Sequence, residues 1–222
     1  MPTNIRFLGH AAFEITVSGS ILLVDPFIEG NPKSPLSSEE DITEADIILV
    51  THDHYDHGFE DAIKIAKRTG ATIVAVAELV RAFKEDGLKN VIPGNLGGMV
   101  SVGYFKITFF PAVHSSNVGS PCGFIVHHPD FSFYHAGDTA FFGDMACLAD
   151  EKLDLALLPI GSTYTMDINA AAKAVELIRP KTVIPMHYDT FPAIKADPEE
   201  FRSLVDDPAK VVILAPGESV SL

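Results

Sequence analysis

The sequence contains little cysteine, no tryptophan and no long hydrophobic run. Its two cysteines, Cys122 and Cys147, form no CxxC pair, so they predict no disulfide framework and favour a reducing compartment. The longest apolar runs, such as Ile47–Val50 and Val211–Ala215, have the length of a strand and are far too short for a membrane span. The first residues show no signal-peptide pattern, so we expect a cytoplasmic protein with no membrane partner.

Positive charge is also scarce in this chain. It has 16 Lys and Arg residues against 30 Asp and Glu residues, which gives a formal net charge of −14. A surface of this sign repels phosphate backbones, so nucleic acid is not an expected partner, although bound divalent cations would offset the charge locally. With 47% hydrophobic residues over 222 positions, the chain can bury a sizeable core, and this excludes a disordered protein.

The apolar runs alternate with helical patterns in a way that is typical of an α/β protein. Strands are predicted over Ile5–Leu8, Phe13–Val17, Ile21–Val24, Ile47–Val50, Thr72–Ala77, Phe105–Phe110, Phe124–His128, Ser132–Tyr134, Leu155–Leu158, Thr182–Pro185 and Val211–Ala215. Helices are predicted over Phe59–Arg68, Glu78–Asp86, Ile168–Ile178 and Pro198–Val205. The run at Val211–Ala215 is expected to be the closing strand of the fold.

The second half of the chain repeats the pattern of the first half at an offset of about 110 residues, which indicates a duplicated unit. A hairpin ends in Asp25 in one half and in Asp138 in the other, and the run at Ile47–Val50 corresponds to Leu155–Leu158. Two β/α halves would pack sheet against sheet with helices outside. We therefore expect a four-layer αββα sandwich forming a single domain over 1–222, with halves of about 1–98 and 99–222.

The segment from His52 to His57 carries three histidines and two aspartates within a few residues of a predicted buried strand. A short loop can turn these side chains towards one point, and imidazole with carboxylate suits Zn²⁺ and similar cations. One metal cannot use all of them, so partners are expected elsewhere. His114, Asp138 and His187 each lie just past the end of a predicted strand, where β/α folds gather their active sites.

The pattern His52-x-His54-x-Asp56-His57, followed in order by His114, Asp138 and His187, resembles the metallo-β-lactamase superfamily of binuclear hydrolases. The resemblance covers the whole chain and implies the same αββα fold. The stretches Phe7–Phe13, His135–Thr139 and Pro185–Pro192 are similar to a branch of small metal-dependent hydrolases. That branch neighbours the ascorbate-6-phosphate lactonase-like proteins.

The resemblance implies a role for each of the matching residues. His52, His54 and His114 would hold one metal, while Asp56, His57 and His187 would hold the second. Asp138 would bridge both metals, at the position where common β-lactamases use Cys, and the two cysteines here do not align with it. His54 stands where oxygen-reducing di-iron relatives have Glu. Both differences favour hydrolysis of esters, lactones or phosphodiesters.

These residues predict a hydrolase that holds two divalent cations per chain, with Zn²⁺ expected first and Mn²⁺ or Fe²⁺ as alternatives. A metal-bridging hydroxide would attack a small, anionic substrate, and Asp56 would orient the nucleophile or shuttle its proton. Alternatives are a nuclease-like phosphodiesterase and a non-catalytic metal-binding or ligand-sensing protein on the same fold. Whether the chain forms a homo-oligomer is left open.

For several further residues, the sequence allows two roles and does not decide between them. His10 either reaches the site or is a buried, hydrogen-bonded turn residue, and His135 either holds a ligand carboxylate or faces the core. Asp25 is expected to hydrogen-bond the metal loop, with metal binding as the alternative. One later segment either contacts the substrate or only forms a loop; it consists of Ser162, Thr163 and Tyr164. Residues 31–44 form either a lid or a connector.

Overall fold

The computed structural model describes residues 2–222, in which two mixed β-sheets pack face to face between outer helices. In chain order the strands are β1 Asn4–Gly9, β2 Ala12–Val17, β3 Ser20–Val24, β4 Ile47–Leu49, β5 Thr72–Val76, β6 Val91–Gly94, β7 Met99–Val102, β8 Phe105–Pro111, β9 Cys122–His128, β10 Phe131–His135, β11 Leu155–Pro159, β12 Thr182–Met186 and β13 Ser219–Ser221. The helices are α1 Phe59–Thr69, α2 Ala77–Glu85, α3 Ile168–Ile178 and α4 Pro198–Leu204. This confirms the predicted αββα architecture.

The two sheets share one topology. The first has the order β13-β1-β2-β3-β4-β5-β6 and the second has the order β12-β11-β10-β9-β8-β7. From β1 to β5 the pairings run antiparallel, antiparallel, parallel and parallel, and the pairings from β8 to β12 follow the same sequence. This correspondence is what a duplicated unit would produce.

The continuous apolar runs form strands that are buried on both faces. Every residue of β4 and β11 is buried, because helices cover one face of each sheet and the other sheet covers the opposite face. Helix α1 begins after Gly58 and ends at Gly70, and it carries acidic residues in its first turn and basic residues in its last turn. Those charges complement the helix dipole.

The expectation of a closing strand at Val211–Ala215 was wrong. Only Val211 forms a bridge there, to Val183, and the rest of the run packs beside the core without a ladder. The chain then turns at Gly217, where the amide donates to the carbonyl of Phe7, and β13 pairs with β1 in the first sheet. Because β13 crosses back to the opposite half, the first sheet is completed by the last residues of the chain.

The edge strands β6 and β7 were not predicted from the sequence. Both are short and largely exposed, and β6 contains Pro93 and Gly94, which weaken any strand signal. Within residues 2–222, none of the helices has the length and apolar character needed to cross a bilayer.

Within each sheet, the strands that precede the candidate site run in one direction. In the first sheet β1 and β3 both pair antiparallel to β2, and β4 is parallel to β3. In the second sheet β8 and β10 both pair antiparallel to β9, and β12 is reached through parallel pairings. The segments after these strands therefore leave each sheet at a single edge, where the two sets of loops can meet.

Gly58 is required by both its conformation and its surroundings. It has φ +70°, and a Cβ atom there would overlap the backbone of Pro26 and Phe27. We expect Gly58→Ala to lower the free energy of unfolding by at least about 3 kcal/mol, measured by urea denaturation. Gly70→Ala is the matched control, because Gly70 has φ +79° and open space around it. It should cost only about 1 kcal/mol, and equal losses in the two variants would contradict this account.

Candidate metal centre

The loop after β4 carries the densest group of candidate ligands. Thr51 fixes its start, because its carbonyl accepts a hydrogen bond from the Cys122 amide at 3.1 Å. A single turn of 3₁₀ helix over Tyr55–His57 then reverses the chain and ends at the left-handed Gly58. The turn leaves His52 and His57 buried and leaves His54 and Asp56 half-buried, so the side chains of this loop can face one centre.

The structure brings the seven expected ligand residues together, and they fall into two adjacent groups. In each group, one potential ligand atom from every residue lies within 4.8 Å of the others. The first group is His52, His54, His114 and Asp138, and the second group is His10, Asp56, His57 and His187. His10 fits both alternatives, because it is a buried residue of the β1–β2 turn and also lies within the second group.

The carboxylate of Asp138 lies where the two groups meet. Its Oδ1 is 3.2 Å from His57 Nε2, and its Oδ2 is 3.1 Å from His187 Nε2 and 3.5 Å from His114 Nε2. The first two contacts are to the second group and the third is to the first group. One carboxylate therefore faces ligand atoms of both groups, which is the arrangement expected of a bridging ligand.

Several buried polar atoms in this centre lack a hydrogen-bond partner within residues 2–222. They are His10 Nε2, His57 Nε2, Asp138 Oδ1, His187 Nδ1 and His187 Nε2. Unpaired buried polar atoms are costly and rare in folded proteins. Most of these atoms point towards one another from different elements of the fold, and imidazole nitrogen and carboxylate oxygen are good donors to divalent cations. The residues present therefore fit a metal site.

Charge coupling inside the centre opposes the effect of burial. Burial alone would raise the pKa of Asp138, but the nearby His57 and His187 hold that pKa well below its usual value. Burial would likewise lower the pKa of His57, yet Asp138 and Asp25 raise it well above its usual value. His57 and Asp138 thus favour each other's charged form, against the effect of burial.

Sequence and structure comparisons agree with this geometry. A family model described as a beta-lactamase superfamily domain matches residues 4–187. A UPF0173 metal-dependent hydrolase of Staphylothermus marinus is 49% identical over 97% of both chains, and one of Thermococcus onnurineus is 48% identical over 99% of both. The chain belongs to the metallo-β-lactamase superfamily. The metallo hydrolase Igni18 of Ignicoccus hospitalis has a similar structure, with a TM-score of 0.93, 38% identity and coverage of 100% of this chain and 99% of that chain.

In this hydrolase, Asp25 supports the metal loop from behind. Its Oδ2 accepts from the Thr51 hydroxyl at 2.6 Å and from His57 Nδ1 at 2.7 Å, while its Oδ1 accepts from the Thr51 amide at 2.8 Å. Asp25 belongs to neither ligand group. The bond to Nδ1 leaves His57 Nε2 directed at Asp138, and it fixes the ring as carboxylates do when they bind the far nitrogen of a metal-bound histidine.

His10 is held between Thr190 and Asp56. Its Nδ1 lies 2.9 Å from the hydroxyl of Thr190, and its Nε2 lies 3.3 Å from Asp56 Oδ2. Burial lowers the pKa of His10 to about 4, with a smaller opposing effect from the nearby Asp56 carboxylate. The ring is therefore neutral at pH 7, and it packs 4.1 Å from the ring of His187 between centroids.

His10, Asp25 and His187 share an unusual backbone conformation. Their φ angles are +62°, +44° and +55°, in the left-handed region that residues other than glycine rarely adopt. Such strained positions concentrate at functional sites, where the surrounding structure holds them in place. Here the His187 amide donates to the His10 carbonyl at 2.7 Å, so the two strained loops fix each other.

His135 is buried beside the centre but contributes to neither ligand group. Its Nε2 contacts the carbonyl of Ala11 at 2.9 Å, and its Nδ1 accepts from the Gly137 amide at 3.1 Å. With both ring nitrogens bound to backbone, His135 shapes the turn that leads to Asp138 rather than holding a ligand carboxylate.

A cavity of about 400 Å³ opens onto both ligand groups. It is lined by His54, Tyr55, Asp56, His114, Ser115, Asp138, Tyr164, His187, Phe191 and Ile194. Of the three loop residues that the sequence left open, Tyr164 faces this cavity, whereas Ser162 and Thr163 lie outside its lining. Residues 31–44 also lie outside it, and Arg68 ties this segment down through the carbonyls of Glu39 and Ile42.

Sequence reasoning missed three supporting residues. Thr51 bridges Asp25 and His52, Thr190 contacts His10, and Asp53 accepts from the Ser116 hydroxyl and the Asn117 amide at 2.8 Å each. The last pair of bonds ties the loop after β4 to the loop after β8. Each missed residue lies within three positions of a predicted ligand residue, which is the only sequence signal that could have found it.

The Asp25 network predicts a specific loss of stability. An amide in place of this carboxylate cannot accept all three hydrogen bonds, so Asp25→Asn should lower the free energy of unfolding of the metal-free protein by about 2–4 kcal/mol. Asp46→Asn is the control, since Asp46 is exposed and accepts one bond from the Ile21 amide. It should cost less than about 1 kcal/mol. Urea denaturation measures both, and similar losses would contradict the assigned role.

Proposed function

We propose that this protein is a binuclear metallohydrolase that cleaves a small ester, lactone or phosphodiester. One divalent cation would be held by His52, His54 and His114, and the other by Asp56, His57 and His187. Asp138 would bridge the two cations. The observation that carries the proposal is the position of the Asp138 carboxylate, which faces imidazole nitrogens of both groups at 3.1–3.5 Å.

Two cations bound at this centre would lower the pKa of a shared water and polarise the scissile carbonyl or phosphoryl group. The protein residues provide the positioning. Burial would raise the pKa of Asp56, but the nearby His10 and His57 lower it overall, so Asp56 stays ionised and can accept the proton of the attacking water. His10 Nε2 can contact one carboxylate oxygen of Asp56, and the other carboxylate oxygen can then face the attacking water.

The overall reaction consumes one water molecule. The water oxygen bonds to the acyl carbon or phosphorus, the bond to the leaving oxygen breaks, and the proton passes through Asp56 to that oxygen. The cavity suits small molecules, because its volume lies in the usual range for such ligands. We expect Zn²⁺ in the site first, with Mn²⁺ or Fe²⁺ as alternatives. The relation to ascorbate-6-phosphate lactonase-like proteins stays a prediction.

Metal content tests the ligand assignment directly. Protein purified without chelators or metal-affinity resin should contain about two equivalents of divalent metal per chain by elemental analysis. His54→Ala and His187→Ala each remove a ligand from one group and should each reduce the content to about one equivalent. His127→Ala is the matched control, because His127 pairs with the surface residue Glu151 far from the centre. Less than half an equivalent in the wild-type protein, with no uptake on adding Zn²⁺ or Mn²⁺, would refute the proposal.

Turnover provides the second test. The metal-loaded protein should hydrolyse at least one member of a panel of carboxylic esters, lactones, thioesters and phosphodiesters, and a chelator should abolish this activity. Asp138→Asn should lower kcat by at least about a hundredfold, because an amide bridges two cations poorly. His127→Ala should retain full activity. Two bound metals without turnover of any substrate class would favour the ligand-sensing alternative.

A further inference from the structure

The cavity has a second wall that the metal chemistry does not use. Beside the ligand residues it is lined by Tyr55, Tyr164, Phe191 and Ile194. Tyr55 and Tyr164 are 73% and 61% exposed, so two large rings are left in solvent beside the metal centre. Exposed aromatic side chains next to a concave polar site are typical of ligand contact.

Ring contacts fix Tyr55, and the backbone fixes the loop that carries Tyr164. Tyr55 packs edge-on against Phe27, with ring centroids 5.8 Å apart, and lies 6.4 Å from Phe191. Tyr164 follows Ser162 and Thr163, which have left-handed φ angles of +58° and +43°.

Hydrogen bonds secure the strained loop that carries Tyr164. The Thr163 hydroxyl donates to the Ala193 carbonyl at 2.7 Å, and the Ser162 amide donates to the Met166 carbonyl at 3.0 Å. The first bond links this loop to the turn that carries Phe191 and Ile194. The wall is thus organised before a ligand arrives, which reduces the entropy lost on binding.

The charges around the cavity disfavour a second ionic group on the substrate. Among the described residues, neither Lys nor Arg lines the cavity. Two dications would face the carboxylates of Asp56 and Asp138, so any formal excess of positive charge would be confined to the metals. A charged group placed on the aromatic wall would lose hydration and find no counter-charge there.

We infer that the substrate of this site carries an uncharged aromatic or branched hydrocarbon substituent next to its scissile group, seated between Tyr55, Tyr164 and Phe191. The inference rests on the proposed function, because the metals would hold the scissile group. The inference narrows the range of expected substrates. Any charge on the substrate would lie on the group that the metals hold, and the rest of the molecule would be uncharged. Substrates that rely on a remote phosphate or carboxylate are excluded.

Hydroxamates test this inference without knowledge of the natural substrate. Acetohydroxamate and benzohydroxamate share a metal-binding head and differ in the substituent, and 4-carboxybenzohydroxamate adds a charge. With Zn²⁺-loaded protein, calorimetric titration should give a Kd at least about tenfold lower for the phenyl compound than for the methyl compound. The added carboxylate should remove most of that preference.

Variants then assign the preference to the wall. Tyr164→Ala and Tyr55→Ala should each reduce the phenyl-to-methyl ratio several-fold, while the Kd of acetohydroxamate stays within about twofold. Tyr104→Ala is the matched control, because Tyr104 is 80% exposed at the β7–β8 turn, at the opposite end of β8 from His114. It should leave the ratio unchanged.

The outcomes separate the two proposals. If none of the three hydroxamates binds the Zn²⁺-loaded protein, the metal centre itself is wrong, and this inference is lost with it. If all bind with equal Kd, the aromatic wall does not contact the substituent, and this inference alone is overturned. It is also overturned if the tyrosine variants convert a dimer to a monomer in sedimentation without changing the ratio, because the rings would then be a subunit contact.

Discussion

A cluster of buried, mutually close ionisable groups dominates this structure. Six imidazoles and the carboxylate of Asp56 converge around Asp138, and a buried carboxylate of this kind is stable only when opposite charge surrounds it. The rest of the local architecture follows from that constraint. Each of three histidines, His57, His52 and His10, contacts a supporting residue through Nδ1. The supporting residues are Asp25, Thr51 and Thr190 respectively, and the Nε2 atoms of the three rings remain for a cation. The strained backbone at His10 and His187 is tolerated because it places both rings in this cluster.

The duplicated topology explains how one centre draws on residues so far apart in sequence. Each half presents the ends of its parallel strands at one edge, and packing the sheets face to face brings the two edges together. The first half supplies the dense loop after β4, while the second half supplies His114, Asp138 and His187 from three separate strand ends. Asp138 and Asp25 follow equivalent hairpins but have different roles. Asp138 faces both ligand groups, whereas Asp25 lies behind His57. Duplication thus provided two carboxylates that took different roles.

The sequence predicted which side chains would come together, because the signal after β4 was local and chemically unusual. A run such as His52 to His57 after a buried strand has few explanations besides a metal. The closing strand was misplaced because the apolar run at Val211–Ala215 is a good strand by composition, and only tertiary pairing reveals that Ser219–Ser221 forms the ladder. The fourth residue of the second group, His10, could not be decided either, since its approach to Asp56 depends on packing between β1 and the loop after β12. Roles of Thr51 and Thr190 follow from hydroxyl geometry that no spacing rule encodes.

The pairing of β13 with β1 has a consequence for biosynthesis. Thr3 and Leu222 exchange backbone hydrogen bonds at 3.1 and 2.9 Å, so the two ends of the chain lie side by side. During synthesis, the β1 edge stays uncovered until the segment Ser219–Ser221, more than 200 residues later in the sequence, has been made. An uncovered edge can pair with the same edge of another nascent chain. The order of synthesis therefore sets a period in which this fold is open to intermolecular association, and the pairing of β13 with β1 ends it.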